Sequence, residues 1–383
     1  MRIVHIEPTP SPNSMKVNLD TRLPDGERHT YTKDRSANAP DLIRRLLAIP
    51  GIEEVFHTAD FMAIERTAKA DWQAVLQAVR QAFGDASTAT KQPEASEPHQ
   101  TEAASIPQTD HFGGVQVFVQ QFRGIPMQIR VTSENQEERV AMPSRFIDAV
   151  MQAQYGSPNL IKERNLVDYG VRYGDCKEIA EQVLLELEAA YDEERVKCLV
   201  AEALDNAEGI IKPELELEEI STRLDDPNWK VRYAALEKIK PEIKHVHLIE
   251  KALSDDNFSI RRLATVYLGD IKDPVIFPLL YRMLEDSSAS VRRTAGDCLS
   301  DIGDADAIIP MCKALSDPSK IVRWRAARYL YEVGDERALD ALHKAINDPE
   351  FEVSMQVQYA IARIEGGEEA AGSVWQQMTR RER

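Results

Sequence analysis

The chain has 383 residues, 43% hydrophobic and 29% charged, with a formal net charge of −17 and a pI near 5.0. That length predicts roughly two or three domains. The charge argues against non-specific nucleic-acid or anionic-membrane binding, and no apolar run nears the ~20 residues of a membrane helix. The opening MRIVHIEPTPSP lacks the layout of a secretory leader. Cys176, Cys198, Cys298 and Cys312 never fall at C-x-x-C spacing, which fits a reducing cytoplasm and supplies no metal or redox motif.

The first predicted elements are strands in RIVHIEP and SMKVNLD, joined by TPSPN. A helix in DLIRRLLAIPG follows, then a hairpin in IEEVFHTADFMAIER turning at HTAD, then a helix in DWQAVLQAVRQAF. Helices on an antiparallel sheet make a small α+β domain, residues 1–84. The stretches PTPSPNSMKV, LLAIPGIEEVFHTADFMAI and DW resemble the N-terminal domain of Nfu-type iron–sulfur scaffold proteins, over most of residues 3–83. In that family a C-x-x-C in a second domain holds the cluster, and this chain has no such motif. No residue here inherits a ligand role. The resemblance implies either a recognition module for iron–sulfur client or assembly proteins, or a borrowed fold alone.

Residues 85–111 are rich in Ala, Ser, Thr, Pro, Glu and Gln and read as a flexible linker. Its root-mean-square span would be about 25–30 Å. Residues 112–210 then read as a second α+β domain. GVQVFVQQFRGIPMQIRVTS is a hairpin turning near Gly124-Ile125-Pro126, and SRFIDAVMQAQYG is a helix with Ser144 at its N-cap. NLVDYGVRYGD is strand-like, and DCKEIAEQVLLELEAAY, capped by Asp175, and DEERVKCLVAEALDNAEG are helices. The order of elements and the match of MKVNL to MQIRV suggest a degenerate sister of the first domain.

Residues 211–383 carry a repeat. LDDPNWKVRYAALEKI, LSDDNFSIRRLATVYL, LEDSSASVRRTAGDCL, LSDPSKIVRWRAARYL and INDPEFEVSMQVQYAI align on Asp226, Asp256, Asp286, Asp317 and Asp348, at steps of 30, 30, 31 and 31 residues. Each unit reads as two helices. Asp226, Asp317 and Asp348 would cap the second, with Pro227, Pro318 and Pro349 at its first position. Val322, Ala326, Ala327, Leu330 and Val333 form its buried stripe, and Gly269, Gly303 and Gly334 would end it in successive units. EEAAGSVWQQM reads as a closing helix. The pattern resembles short HEAT-like repeats. That resemblance implies an α-solenoid in which Arg232, Arg261, Arg292 and Arg323 pair with acidic turns of neighbouring units as a structural ladder. Ser354 replaces the arginine in the last unit, as suits a cap. It also implies that the second helices line the concave side. There Tyr233, Arg262, Arg293, Trp324 and Met355 form one row, with Arg328 one turn further on. Tyr, Trp and Arg are favoured interface anchors, so these six are the candidate partner-binding residues.

The whole layout resembles the conserved virulence factor C family of bacilli and staphylococci, which implies a cytoplasmic protein tied to virulence-gene regulation. No G-x-S-x-G, H-E-x-x-H, G-K-[ST] or G-x-G-x-x-G motif occurs. His245 and His247, two apart, would face apart on a helix and read as solvated. The sequence therefore predicts a multidomain α+β and all-α protein with no catalytic, cofactor or metal residues. Its expected role is a non-enzymatic scaffold for a protein or peptide partner, without nucleic acid or membrane. The alternative is an accessory factor in iron–sulfur cluster assembly or delivery.

Overall fold

The computed structural model describes residues 1–9, 13–24, 27–67, 70–84, 114–133, 136–157, 159–204 and 217–367. The expected linker and closing helix lie outside the described residues. The first compact unit holds the N-terminal sheet together with Pro349–Met355, and the second holds the middle region and the rest of the helical array.

The N-terminal elements are β1 (Ile3–Pro8), β2 (Ser14–Leu19), β3 (Arg28–Thr32), α1 (Asp41–Leu47), β4 (Ile52–Thr58), β5 (Phe61–Arg66) and α2 (Trp72–Phe83). The sheet is antiparallel, in the order β1-β2-β5-β4-β3. Met15, Val17, Val55, Met62 and Ile64 alternate onto one face and meet Ile43, Leu46, Trp72 and Val79 from the helices. Asp71 caps α2 by accepting from the Gln73 and Ala74 amides.

The middle region contains β6 (Val115–Phe122), β7 (Ile125–Ser133), β8 (Gln136–Ala141), α3 (Ser144–Ala153), α4 (Leu160–Glu163), β9 (Arg164–Arg172), α5 (Cys176–Ala190) and α6 (Glu193–Ala203). The hairpin turns at Arg123 and Gly124, with φ of 47° and 81°, and Ile125 already belongs to β7. Two successive positive φ values suit the right-handed twist of a two-residue hairpin. Pro143, not Ser144, stands at the N-cap of α3. Strand order is β8-β7-β6-β9. The first strand here is central, whereas β1 lies at an edge of its own sheet. The two sheets are therefore built on different plans, and the sister-domain expectation fails.

Among the described residues the array is five helix pairs: α7 (Leu217–Arg223) with α8 (Trp229–Leu236), α9 (Val246–Ala252) with α10 (Phe258–Asp270), α11 (Phe277–Met283) with α12 (Ala289–Ile302), α13 (Ile308–Ala314) with α14 (Lys320–Val333), and α15 (Leu339–Ala345) with α16 (Phe351–Glu365). The stripe Val322, Ala326, Ala327, Leu330 and Val333 is buried. The acidic turn residues do not cap the second helices. Asp226, Asp255, Asp286 and Asp317 accept from the amide two residues on, and Asn228, Asn257, Ser288 and Ser319 occupy the caps. Asp255, not Asp256, is thus the equivalent acid of the second unit.

Each ladder arginine joins two of these turns. Nε and Nη2 of Arg232, Arg261, Arg292 and Arg323 donate to both carboxylate oxygens of Asp255, Asp286, Asp317 and Asp348, at 2.6–3.0 Å. Nη1 donates to the carbonyl of the acidic residue of its own unit, at 2.7–2.9 Å. The planar fork matches a carboxylate edge, which a lysine cannot do.

Gly303 ends α12 at φ 67°, a conformation that costs glycine nothing. Gly269 instead lies inside α10, where an added Cβ would come within 2.6 Å of Cys298 Sγ, so it serves helix packing rather than termination.

Gln356 in α16 is fully buried, and neither its Oε1 nor its Nε2 has a partner among the described residues. Burying an unpaired amide is unfavourable. The near-isosteric Gln356→Met is expected to raise stability by about 1–2 kcal/mol in urea unfolding.

Candidate functional site

The predicted row is buried. Tyr233, Arg293, Trp324 and Arg328 are 4%, 5%, 3% and 5% exposed, and Met355 is half-buried. Its first members are covered by the middle region, so the expectation of an open concave surface is corrected there: the chain supplies its own occupant.

Glu186 of α5 lies at the centre. It follows Ile179 and Val183 on the buried stripe of its helix, a place where a carboxylate needs a cation. Its Oε2 accepts from Arg172 Nη2 at 2.9 Å and from Arg262 Nη2 at 3.2 Å, and its Oε1 accepts from Gln182 Nε2 at 3.0 Å. Burial alone would raise the Glu186 pKa. The Arg262 and Arg172 guanidiniums outweigh it and hold the pKa at about 2. Burial pulls Arg262 down, opposed by Glu186. Arginine nonetheless stays protonated in proteins, so the cluster is ionised. Burial, reinforced by Glu186, pushes the Tyr233 phenol well up.

One unit further along, Arg293 takes a tyrosine. Its Nη2 donates to Tyr173 Oη at 2.9 Å, and its guanidinium carbon lies 4.4 Å from the Tyr173 ring centre and 5.6 Å from that of Trp324. Nε is anchored by Asp297 at 2.7 Å, and Nη1 by the Ile321 carbonyl at 3.2 Å. Arg328 pairs with Glu332, one turn on in its helix, at 2.7 Å. The row thus brings Tyr233, Arg262 and Arg293 to the middle region, with Trp324 beside Arg293.

Helix α5 also packs on α8, and ion pairs flank that contact. Lys230 pairs with Glu188, Arg195 with Glu237 at 3.5 Å, and Lys238 with Asp192 at 3.9 Å. A cavity of about 300 Å³ lies beside them, lined by Ala189, Asp192 and Glu193 of the middle region and by Arg223, Val231 and Ala234 of the first unit.

The sequence reading missed Glu186, Arg172 and Tyr173. The available signal was Glu186 itself, an acid on an otherwise apolar helix face. His245 is buried, with Nδ1 2.8 Å from the Lys240 carbonyl, while His247 is exposed; the pair is not jointly solvated and does not converge. Among the described residues, no group of three or more His, Cys, Asp or Glu is placed to hold a metal ion.

Three family profiles match the chain. They are the scaffold protein Nfu/NifU N terminal over residues 4–90, a virulence factor family over 120–200, and HEAT repeats over 245–319 and 310–382. The Bacillus subtilis (strain 168) protein YpgR is 51% identical, covering 99% of this chain and 98% of its own. Conserved virulence factor C of Staphylococcus aureus (strain NCTC 8325 / PS 47) is 46% identical over 100% of both. The X-ray structure of Staphylococcus aureus protein SAV1430 is 32% identical, with a TM-score of 0.21, covering 22% of this chain and 99% of that one.

Proposed function

The chain belongs to the conserved virulence factor C family, and on that premise we propose that it is a non-enzymatic protein-interaction scaffold of the cytoplasm whose helical array grips protein through its inner row. The name of its staphylococcal relatives, conserved virulence factor C, supports placing that scaffold in virulence regulation. The observation that carries the reading is the engagement of Glu186 by Arg262 and of Tyr173 by Arg293, at equivalent positions of successive units. A repeated array offers the same contact at each step, and its row already holds a protein surface in this way.

The iron–sulfur alternative draws on the first domain. Cys298 and Cys312 give it little. Burial pushes up the Cys298 thiol, and burial with Asp335 raises Cys312 to about 11, and a thiolate is what ligates iron.

Arg262→Ala/Arg293→Ala/Trp324→Ala in the full chain is the test. Partner capture from the native cytosol is expected to fall about tenfold or more, with helix content by circular dichroism retained. Undiminished capture of the same partner overturns the reading. Coloured, iron-bearing protein from aerobic purification favours the alternative.

A further inference from the structure

Two adjacent units each hold one functional group from another surface. α10 presents Arg262 to a carboxylate, and α12 presents Arg293, flanked by Trp324, to a phenol. α10 and α12 pack directly on one another, and the two arginines occupy the same repeat position, so their separation is set by packed helices, about 8–10 Å. A peptide in the extended polyproline II conformation advances about 3.1 Å per residue with three residues per turn. A Glu and a Tyr three positions apart in such a peptide lie on one face and span about 9 Å. In the middle region the same two groups are thirteen residues apart in sequence and are brought together only by its fold.

We propose that the inner row of the second and third units is a recognition site for extended acidic–aromatic peptides of the form E-x-x-Y or Y-x-x-E, and that the middle region occupies it in cis as a competing ligand. The proposal rests on the scaffold reading and adds the ligand class and its competitor. Arg262 has donor capacity to spare, since its buried Nε has no partner among the described residues. Besides the packing of α5 on α8, the competitor is tied by the ion pairs Lys230–Glu188, Arg195–Glu237 and Lys238–Asp192, all partly solvent-exposed and beside a cavity. Such pairs are individually weak and are screened by salt.

The test uses the full-length chain and the fluorescein-labelled peptides GSEAAYSG and GSYAAESG, with Gln-for-Glu controls, read by anisotropy. Tyr173→Ala/Glu186→Ala removes both cis groups and leaves the row intact. It is expected to bind at least one of the two peptides about tenfold more tightly than wild type at about 0.15 M salt. The Gln control is expected to lose about tenfold, and adding Arg262→Ala should abolish the gain. Should the double alanine variant fail to fold, Tyr173→Phe/Glu186→Gln is expected to give the same order with a smaller gain. Equal binding by wild type and variant, or by Glu and Gln peptides, overturns the proposal. Capture lost in the triple variant without any E-x-x-Y or Y-x-x-E binding overturns this ligand class and leaves the scaffold reading standing.

Discussion

Arg292→Ala is expected to cost about 3–5 kcal/mol of stability, seen as a lowered urea midpoint of the array. Arg292 donates to Asp317 at 2.6 and 2.8 Å and to the Asp286 carbonyl at 2.8 Å. Both side chains of the pair are nearly buried, at 11% and 6% exposure. Removing the guanidinium leaves the Asp317 carboxylate without its cation and a turn carbonyl without its donor. It also cuts the tie between the third and fourth units, so the transition should broaden as those units lose cooperativity. The double replacement Arg292→Ala/Asp317→Ala should cost less than the two single losses added together, with a coupling of about 1–3 kcal/mol. A single-variant cost below about 1 kcal/mol would place the ladder among surface pairs of little consequence.

Glu186→Ala is expected to lose a similar amount, about 3–5 kcal/mol, because it strands Arg172 and Arg262 together in a buried site. The same group gives wild-type stability a pH dependence of known sign. In the unfolded chain a glutamate titrates near 4.3. In the folded chain Glu186 is held at about 2. Its contribution, about 3 kcal/mol, is complete above the unfolded value and is lost as the pH falls towards 2. Urea unfolding of wild type and Glu186→Gln across that window should show a slope in the first that flattens in the second. Parallel slopes would mean that Glu186 is not the ionised centre of the contact.

The array was legible because its signals repeat. Five acidic turns, the trailing arginines and an apolar stripe cannot recur by accident at one period, and they locate ten helices. One residue of that register was misplaced, because Asp255 and Asp256 are adjacent and equal in chemistry. The arginine and turn geometry distinguishes them. Strands β3 and β8 were overlooked for a different reason. RHTYT and QEERVA are edge strands with mostly exposed residues, so neither carries the apolar alternation that marks a half-buried strand. The site was half legible. Residue type picked out the row, but its occupancy depends on how the middle region folds back, and no local pattern encodes that. Glu186 on an apolar face was the one trace of it.

The ladder has a direction. Every rung runs from an arginine forward to the aspartate of the following unit, and the last unit carries Ser354 where an arginine would reach onward. A duplicated unit inserted anywhere within the series arrives with one aspartate to receive and one arginine to give. Donors and receivers stay matched whatever the number of copies. Unequal recombination can therefore lengthen or shorten this protein without orphaning a charge, whereas losing the terminal copy would leave Arg323 reaching into water.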